Sequence, residues 1–246
     1  MRRKMIATVM LGLALAASPA MAKKKAKEIV AEKPVVAVNT AVNPDVSVEP
    51  ENVLYLDLSN GGRVAIRLVP AWAPGHVERI KTLVQRGFYN GQIFHRVIDG
   101  FMAQTGDPKG TGEGGSELPD LKAEFNMVPH MRGTVSMART NEPDSANSQF
   151  FIVFQPRFAL DKRYTNFGRV IGGMQYVDTI ERGEPPQNPT KILQASLGSE
   201  GKAQMMPPPP PPVVIQPEPA AAPAPVAPAA VPAKPAAAAK AKPKTK

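Results

Sequence analysis

The side chains best placed to do chemistry lie in residues 94–107, which read FHRVIDGFMAQTGD. The permanent cation Arg96 is followed closely by the bulky apolar groups Phe101 and Met102, and then by the carboxamide of Gln104. This stretch has no Cys, no Ser–His–Asp pattern and no second His or carboxylate at the spacing of metal ligands. It therefore lacks the parts for covalent or metal-assisted chemistry. It offers an apolar surface beside a guanidinium that stays charged near neutral pH.

Taken alone, residues 94–107 also fit two ordinary strands of an all-β domain, with Arg96 on the solvent face. Three more stretches follow in order: SMAR at 136–139, SQFFIVF at 148–154 and FGRVIGGM at 167–174. In this order the four motifs resemble the cyclophilin family of peptidyl-prolyl cis-trans isomerases. The resemblance covers residues 53–197, about 60% of the chain.

The resemblance implies an enzyme that accelerates rotation about X–Pro peptide bonds without a cofactor. Such bonds rotate slowly because resonance gives the C–N bond double-bond character, with a barrier of roughly 18–20 kcal/mol. In the twisted transition state the resonance is lost, and the prolyl nitrogen becomes a hydrogen-bond acceptor. A donor held beside that nitrogen binds the twisted state better than the planar one. A charge-assisted hydrogen bond contributes about 1.5–3 kcal/mol, which is about 10- to 150-fold in rate.

Specific roles follow from the resemblance. Arg96 is expected to supply the donor, and Gln104 to bond the substrate backbone and help orient the arginine. Phe101, Met102 and Phe151 match the pocket for the proline ring, and Leu160 matches its remaining wall. Phe151 and Leu160 would each also suit a plain core position. The full set of expected substrate-binding residues is Phe101, Met102, Ala138, Arg139, Gln149, Phe151, Leu160 and Tyr164. No metal site is expected.

The three histidines are interpreted as structural or surface residues. His95 lies next to Arg96, but strand alternation points its side chain away from that of the arginine, so a structural role is expected. His76 and His130 have no partner nearby in the sequence, and both are expected at the surface.

Several positions depart from the better-known eukaryotic members. Arg139 and Thr140 stand where those proteins have Asn and Ala, which resembles bacterial members. Ala159 and Leu160 stand where they have Trp and Leu, and Tyr164 stands where they have His. The missing Trp predicts weak cyclosporin binding, because that indole helps to hold the drug.

The elements that must position these residues are short strands and two helices. Residues 53–58 and 64–68 alternate in hydropathy around the turn signal Asn60-Gly61, which predicts an antiparallel hairpin. Residues 71–86 and 173–182 show helical spacing of apolar groups. The glycine-rich residues 106–115 lack the sequence of a phosphate-binding loop and are interpreted as a surface loop. Further strands are expected at 134–138, 150–154, 167–171 and 192–197.

Many short strands with two helices predict an all-β fold built on a closed barrel. This agrees with what the resemblance implies, a closed eight-stranded antiparallel β-barrel capped by two helices. The isomerase domain is expected at 52–200, with disordered extensions on both sides.

The N-terminal residues have the features of a secretory signal peptide. Residues 2–4 are basic, residues 6–17 are apolar, and Ala20-Met21-Ala22 is a small-x-small cleavage site. An uncleaved membrane anchor is the alternative, but the apolar run is shorter than the roughly 20 residues that a spanning helix needs. Residues 1–22 are thus expected to be removed, which predicts a periplasmic or otherwise exported protein with a linker at 23–51.

Charge and proline are concentrated in the extensions. The net charge of the chain is +9, but residues 52–200 carry 16 Lys and Arg against 15 Asp and Glu. A nucleic-acid-binding domain should have a basic face on the folded unit, so that class is discounted. Fourteen of the 28 prolines lie from Pro207 onward, and residues 201–246 are expected to be a disordered tail. The absence of Cys excludes disulfides.

The function that fits best is a monomeric prolyl isomerase that assists the folding of exported, proline-containing polypeptides. Two alternatives remain at this point. The same groove could bind peptides as a chaperone module with little turnover, or the lysine-containing tail could tether the barrel to an anionic envelope surface.

Overall fold

The computed structural model describes residues 39–208. The expected signal peptide, most of the linker and all but the first eight residues of the expected tail lie outside this range. In the described range, no helix is long and apolar enough to cross a membrane. The strands are β1 (Val53–Leu58), β2 (Arg63–Leu68), β3 (Arg96–Ile98), β4 (Met102–Thr105), β5 (Thr134–Met137), β6 (Phe150–Val153), β7 (Asn166–Gly172) and β8 (Ile192–Leu197). The helices are α1 (Pro74–Gln85) and α2 (Met174–Asp178).

All eight strands belong to one antiparallel sheet, as predicted, in the order β3-β4-β6-β5-β7-β2-β1-β8. The prediction of a closed barrel is wrong, because the end strands β3 and β8 share no ladder. Within residues 39–208, only two isolated bridges, Ile93↔Lys191 and Val97↔Gly183, cross the gap. Residues 179–191, which lead into β8, contain three prolines. Proline has no backbone N–H to donate to a ladder. These prolines therefore interrupt the pairing that would close the sheet between β3 and β8.

Local sequence explains the predicted hairpin and the first helix. β1 and β2 pair with Asp57 opposite Arg63, and Gly61 takes the left-handed φ of +88° that the tight turn requires. α1 begins at Pro74, where the missing N–H costs nothing. It gives way at Gly87, which has a φ of +68° and donates its N–H to the Val84 carbonyl.

α2 is shorter than the predicted 173–182 and ends at Asp178. Residues 179–182 instead lead directly to Gly183, which is held against β3 by two backbone hydrogen bonds with Val97. Helical spacing of apolar residues therefore overestimated this element, because tertiary backbone pairing begins just beyond it.

Alternation along the strands separates two apolar clusters. Phe150 and Ile152 on β6 belong to the main core between the sheet and the helices, whereas Phe151 and Val153 belong to a second cluster on the other face. On β4, Ala103 joins the main core, and its neighbour Met102 joins the second cluster. The second cluster therefore lies on the outside of the sheet, where a ligand can reach it.

Both described extensions lie against the sheet. The Arg67 guanidinium donates to backbone carbonyls of residues 43, 45, 48 and 49, and Trp72 Nε1 donates to the Asn39 carbonyl at 2.9 Å. At the other end, the buried Asp57 carboxylate accepts the Met205 backbone N–H at 2.7 Å, in addition to a two-bond contact with Arg63. The polypeptide therefore stays docked at least from residue 39 to residue 205.

Candidate active site

Four neighbouring strands place the central candidate residues and Ser136 side by side. Arg96 on β3 pairs with Gln104 on β4, Gln104 pairs with Phe151 on β6, and Phe151 pairs with Ser136 on β5. Met102, two residues before Gln104, lies on the same face of β4. Residues that are far apart in the sequence therefore form one row across the outer face of the sheet.

An open pocket of about 220 Å³ lies over this row. It contains every residue expected from the sequence except Gln149, together with one that sequence reasoning missed, Gly112. Met102 and Phe151 form its buried floor, with 2% and 5% of their surface exposed. The pocket is lined by Arg96, Phe101, Met102, Gln104, Gly112, Ala138, Arg139, Phe151, Leu160 and Tyr164. An apolar ring the size of proline can therefore sit beside a fixed cation.

A second groove of about 550 Å³ adjoins the first and shares Gln104, Gly112, Ala138 and Arg139 with it. Gln149 lies here, so the residues expected to bind the part of the peptide before proline do line a continuous depression. The glycine-rich loop forms another wall through residues 112–116. Sequence reasoning missed the contribution of this loop, because its glycines have no side chains to match to a role.

Arg96 has an ion-pair partner that sequence reasoning missed. Its Nε donates to Glu184 Oε2 at 2.7 Å, and the two side chains are 43% and 51% exposed. The residues are 88 positions apart, so no local pattern links them. Gln104, which was expected to help orient the arginine, makes no hydrogen bond to it in the described part of the chain.

Gln104 is instead part of a chain of side-chain amides. Its Nε2 donates to Gln149 Oε1 at 2.7 Å. Gln149 in turn donates from Nε2 to the carbonyls of Gly112 and Gly114, at 2.9 and 2.7 Å. The orientation of the Gln104 carboxamide is therefore fixed by the glycine-rich loop, through Gln149.

Asp107 organises the glycine-rich loop. Its carboxylate accepts backbone N–H bonds from Lys109, Thr111 and Gly112 at 2.8, 2.9 and 2.7 Å. Burial acts to raise the pKa of Asp107, but the backbone donors of the loop outweigh it and lower that pKa to about 2. A Cβ at Gly114 would lie only 1.9 Å from Asp107 Oδ1. The loop is thus built around an ionised carboxylate that a larger residue would displace.

Arg139 forms a rigid wall between pockets. Its Nε and Nη2 donate to the Arg163 carbonyl at 3.0 and 2.8 Å, and its Nη1 donates to the Thr140 carbonyl at 2.8 Å. The guanidinium carbon lies 4.7 Å from the centre of the Tyr164 ring, which is cation–π contact. Because its donors are occupied by backbone carbonyls, Arg139 contributes charge and a flat surface to the site.

The expectation that two histidines lie at the surface is wrong. His76 and His130 are both completely buried. Their Nδ1 atoms lie 2.6 Å from Glu124 Oε2 and 2.8 Å from Asp161 Oδ1, respectively. Burial lowers the pKa of both imidazoles, against the opposing effect of each carboxylate. The partners are 48 and 31 positions away, so the sequence offered no local sign of burial.

His130 also completes a Ser–His–Asp arrangement behind the pocket. Its Nε2 lies 3.2 Å from Ser136 Oγ, which donates to the Thr165 carbonyl at 3.0 Å. Ser136 and His130 have no exposed surface, so a substrate cannot reach this hydroxyl. The His130 ring instead stacks on Phe151, with ring centres 6.3 Å apart and planes 15° apart. The arrangement supports the floor of the pocket and has no access for nucleophilic chemistry.

His95 is buried, as its expected structural role requires. Burial lowers the pKa of its imidazole, while the Asp107 charge acts in the opposite direction. In the part of the chain that the structure describes, no group of His, Asp and Glu side chains could hold a metal ion.

Comparison with known proteins identifies the family. Residues 53–197 match the family model described as cyclophilin type peptidyl-prolyl cis-trans isomerase/CLD. The chain belongs to the cyclophilin-type peptidyl-prolyl cis-trans isomerases. This cyclophilin is therefore an isomerase enzyme, and its motifs carry the pocket described above.

Curated relatives agree with this assignment. A probable peptidyl-prolyl cis-trans isomerase of Brucella suis is 47% identical over an alignment of 178 residues, and the match covers 66% of this chain and 90% of the relative. The peptidyl-prolyl cis-trans isomerase-like 1 protein of Aspergillus niger is 40% identical over 148 residues, covering 56% of this chain and 91% of the relative.

Solved structures show the same fold. A cyclophilin from Hirschia baltica superposes with a TM-score of 0.58 at 30% identity, covering 62% of this chain and 76% of the other. A cyclophilin-type isomerase of Cryptosporidium parvum, crystallised in the presence of the dipeptide Ala-Pro, gives a TM-score of 0.55 at 27% identity. That match covers 59% of this cyclophilin and 98% of the Cryptosporidium chain.

Proposed function

We propose that this cyclophilin is exported and accelerates the folding of proline-containing polypeptides, with Arg96 donating a hydrogen bond to the prolyl nitrogen of the twisted transition state. The observation that carries the proposal is that Arg96 lines the same pocket of about 220 Å³ as the apolar floor formed by Met102 and Phe151. A proline ring held on that floor brings its nitrogen within reach of the guanidinium.

The donor acts by differential binding. In the planar peptide the prolyl nitrogen shares its lone pair with the carbonyl group and is a poor acceptor, whereas in the twisted state the lone pair is localised. A hydrogen bond from Arg96 therefore stabilises the twisted state more than the ground state, which lowers the barrier. Arginine suits this task because its guanidinium stays charged and presents several donors in one plane.

The other residues bind and orient the peptide. Phe101, Phe151 and Leu160 contact the proline ring. These apolar side chains also exclude water, which strengthens the hydrogen bond from Arg96 to the prolyl nitrogen. Gln104 keeps its Oε1 free of hydrogen bonds to the described residues, because its contact with Gln149 uses Nε2. That oxygen can accept a backbone N–H of the substrate and hold the peptide in place.

Catalysis and mere binding are separated by one experiment. Exchange between the cis and trans forms of an Ala-Pro tetrapeptide is measured by NMR, with the protein at one hundredth of the peptide concentration or less. A large increase in the exchange rate is expected, together with faster refolding of a client whose slow phase is prolyl isomerisation. If the peptide binds in a titration but exchanges at the uncatalysed rate, the chain is a peptide-binding module.

Export rests on the N-terminal sequence, with its basic residues 2–4, apolar residues 6–17 and Ala20-Met21-Ala22 site. The mature protein is expected to begin near Lys23 and to be recovered from the periplasm or medium. N-terminal sequencing of protein from the native cell checks this. An intact Met1, or recovery from the cytosol alone, would contradict it.

A further inference from the structure

The contact between Arg96 and Glu184 is built into the backbone pairing beside β3. Val97 and Gly183 form an antiparallel bridge with two backbone hydrogen bonds, Val97 N to Gly183 O at 2.8 Å and Gly183 N to Val97 O at 2.9 Å. In an antiparallel bridge, the residue before one partner lies opposite the residue after the other. Arg96 and Glu184 therefore face each other directly, as opposite charges in a cross-strand pair.

The segment that carries Glu184 is fixed on both sides of the bridge. Arg182, on the far side of Gly183, donates from Nε to Asp99 Oδ1 at 3.3 Å. A Cβ at Gly183 would lie 2.6 Å from the Pro186 backbone, so the chain turns tightly beyond the bridge. The backbone of Glu184 is therefore placed by its neighbours, at the position where its carboxylate reaches Arg96.

Glu184 contacts the guanidinium from outside the proline pocket. Arg96 lines that pocket, but Glu184 does not. The contact uses Nε, and it is the only hydrogen bond that the Arg96 side chain makes in residues 39–208. Both Nη groups are thus left without a protein acceptor in the described part of the chain, and they remain available to a substrate. Glu184 therefore does not block the pocket, because its carboxylate lies outside it.

We propose that Glu184 is a positioning residue, which holds the Arg96 guanidinium in the orientation needed to donate to the prolyl nitrogen. The inference rests on the proposed role of Arg96. The resemblance to the family assigned the orienting role to Gln104, but Gln104 bonds Gln149 in this protein. Glu184 takes up that role, because it is the one residue in the described range that fixes the arginine side chain. Fixing a catalytic group before substrate arrives removes an ordering cost from the transition state.

The test compares isomerase activity of the full chain and its Glu184→Gln and Glu184→Ala variants. Glu184→Gln keeps an oxygen acceptor but loses the charge, and Glu184→Ala loses both. We expect kcat to fall at least threefold in Glu184→Ala and by a smaller factor in Glu184→Gln, with KM within twofold of wild type. Because the pair is exposed, the ratio of wild-type to variant activity should shrink as salt is raised from 20 mM to 500 mM.

A second surface ion pair offers a matched control. Arg132 Nη2 lies 2.6 Å from Asp178 Oδ2, and the two side chains are 48% and 40% exposed, close to the values for Arg96 and Glu184. Neither residue lines the pocket. Asp178→Asn should therefore leave kcat within 1.5-fold of wild type, which separates a positioning effect from general loss of a surface charge.

An Arg96→Lys background separates the two hypotheses. If Glu184 acts through Arg96, adding Glu184→Ala to Arg96→Lys should cause little further loss. The inference is overturned if Glu184→Ala alone stays within 1.5-fold of wild type, if it raises kcat, or if it lowers kcat equally in both backgrounds. Those results leave the role of Arg96 intact provided that Arg96→Lys itself is impaired. If Arg96→Lys stays within twofold of wild type, the proposed role of Arg96 fails, and the inference fails with it.

Discussion

Gln104 Nε2 donates a 2.7 Å hydrogen bond to Gln149 Oε1, which joins the pocket beside Arg96 to the adjoining groove. Gln149 is itself held by the carbonyls of Gly112 and Gly114. The carboxamide expected to receive the substrate backbone is therefore oriented before substrate arrives.

This contact predicts that Gln104→Ala and Gln149→Ala act mainly on substrate binding. Each should raise KM severalfold, because the peptide loses a fixed acceptor or the groove loses its support. The double variant should be less impaired than the product of the single effects, since both remove the same contact. Steady-state isomerase kinetics measure this. Gln85→Ala, at the exposed end of α1, is the matched control, and independent effects of the two single variants would contradict the account.

Buried histidines predict a loss of stability in mild acid. Burial lowers the pKa of His76, His95 and His130 below the ordinary value of about 6.5. Below that value the unfolded chain binds protons that the folded chain does not, so stability falls as pH falls. Each histidine contributes a slope of at most about 1.4 kcal/mol per pH unit.

The melting temperature should therefore fall between pH 7.5 and pH 5.5. His130→Gln should make the slope shallower, because one of the three titrating groups is removed. Scanning calorimetry across this range checks both points. A melting temperature that is constant or rises on acidification would count against neutral, buried imidazoles.

Local spacing was sufficient to predict much of the fold. The β1–β2 hairpin follows from alternating leucines and an Asn-Gly turn, and α1 follows from apolar groups at helical spacing between Pro74 and Gly87. These signals lie within a dozen residues of one another. The pocket residues were found because they belong to four motifs that the family resemblance places together.

Contacts between residues that are distant in the chain were not predicted from the sequence. Glu184 lies 88 positions from Arg96, and Asp161 lies 31 positions from His130. Neither pairing leaves a trace in local hydropathy or spacing, so Glu184 was not singled out and His130 was expected at the surface. The gap between β3 and β8 was also missed. The closed barrel was predicted from the number of short strands, which does not show whether the first and last strands of the sheet pair.

The cavity beside Leu160 predicts weak cyclosporin inhibition. Ala159 lines a space of about 640 Å³ with Arg139, Arg163 and Tyr164, at the position where better-known relatives have a Trp. Without the indole the drug loses apolar contact area. Ala159→Trp should tighten inhibition by at least tenfold, measured as an inhibition constant in the isomerase assay. Ala159→Leu, which adds a smaller apolar group, should have a weaker effect, and unchanged inhibition by the Trp variant would refute the explanation.

The central claim is that the Arg96 guanidinium stabilises the twisted peptide bond, and it is tested most directly by kcat/KM of Arg96→Lys in a protease-coupled assay. Lysine keeps the positive charge but lacks the planar fork of donors. The account predicts at least a tenfold loss, equivalent to about 1.4 kcal/mol of transition-state stabilisation, with the circular dichroism spectrum unchanged. Arg132→Lys, in an ion pair outside the pocket, should keep wild-type activity. An Arg96→Lys value within twofold of wild type would contradict the account.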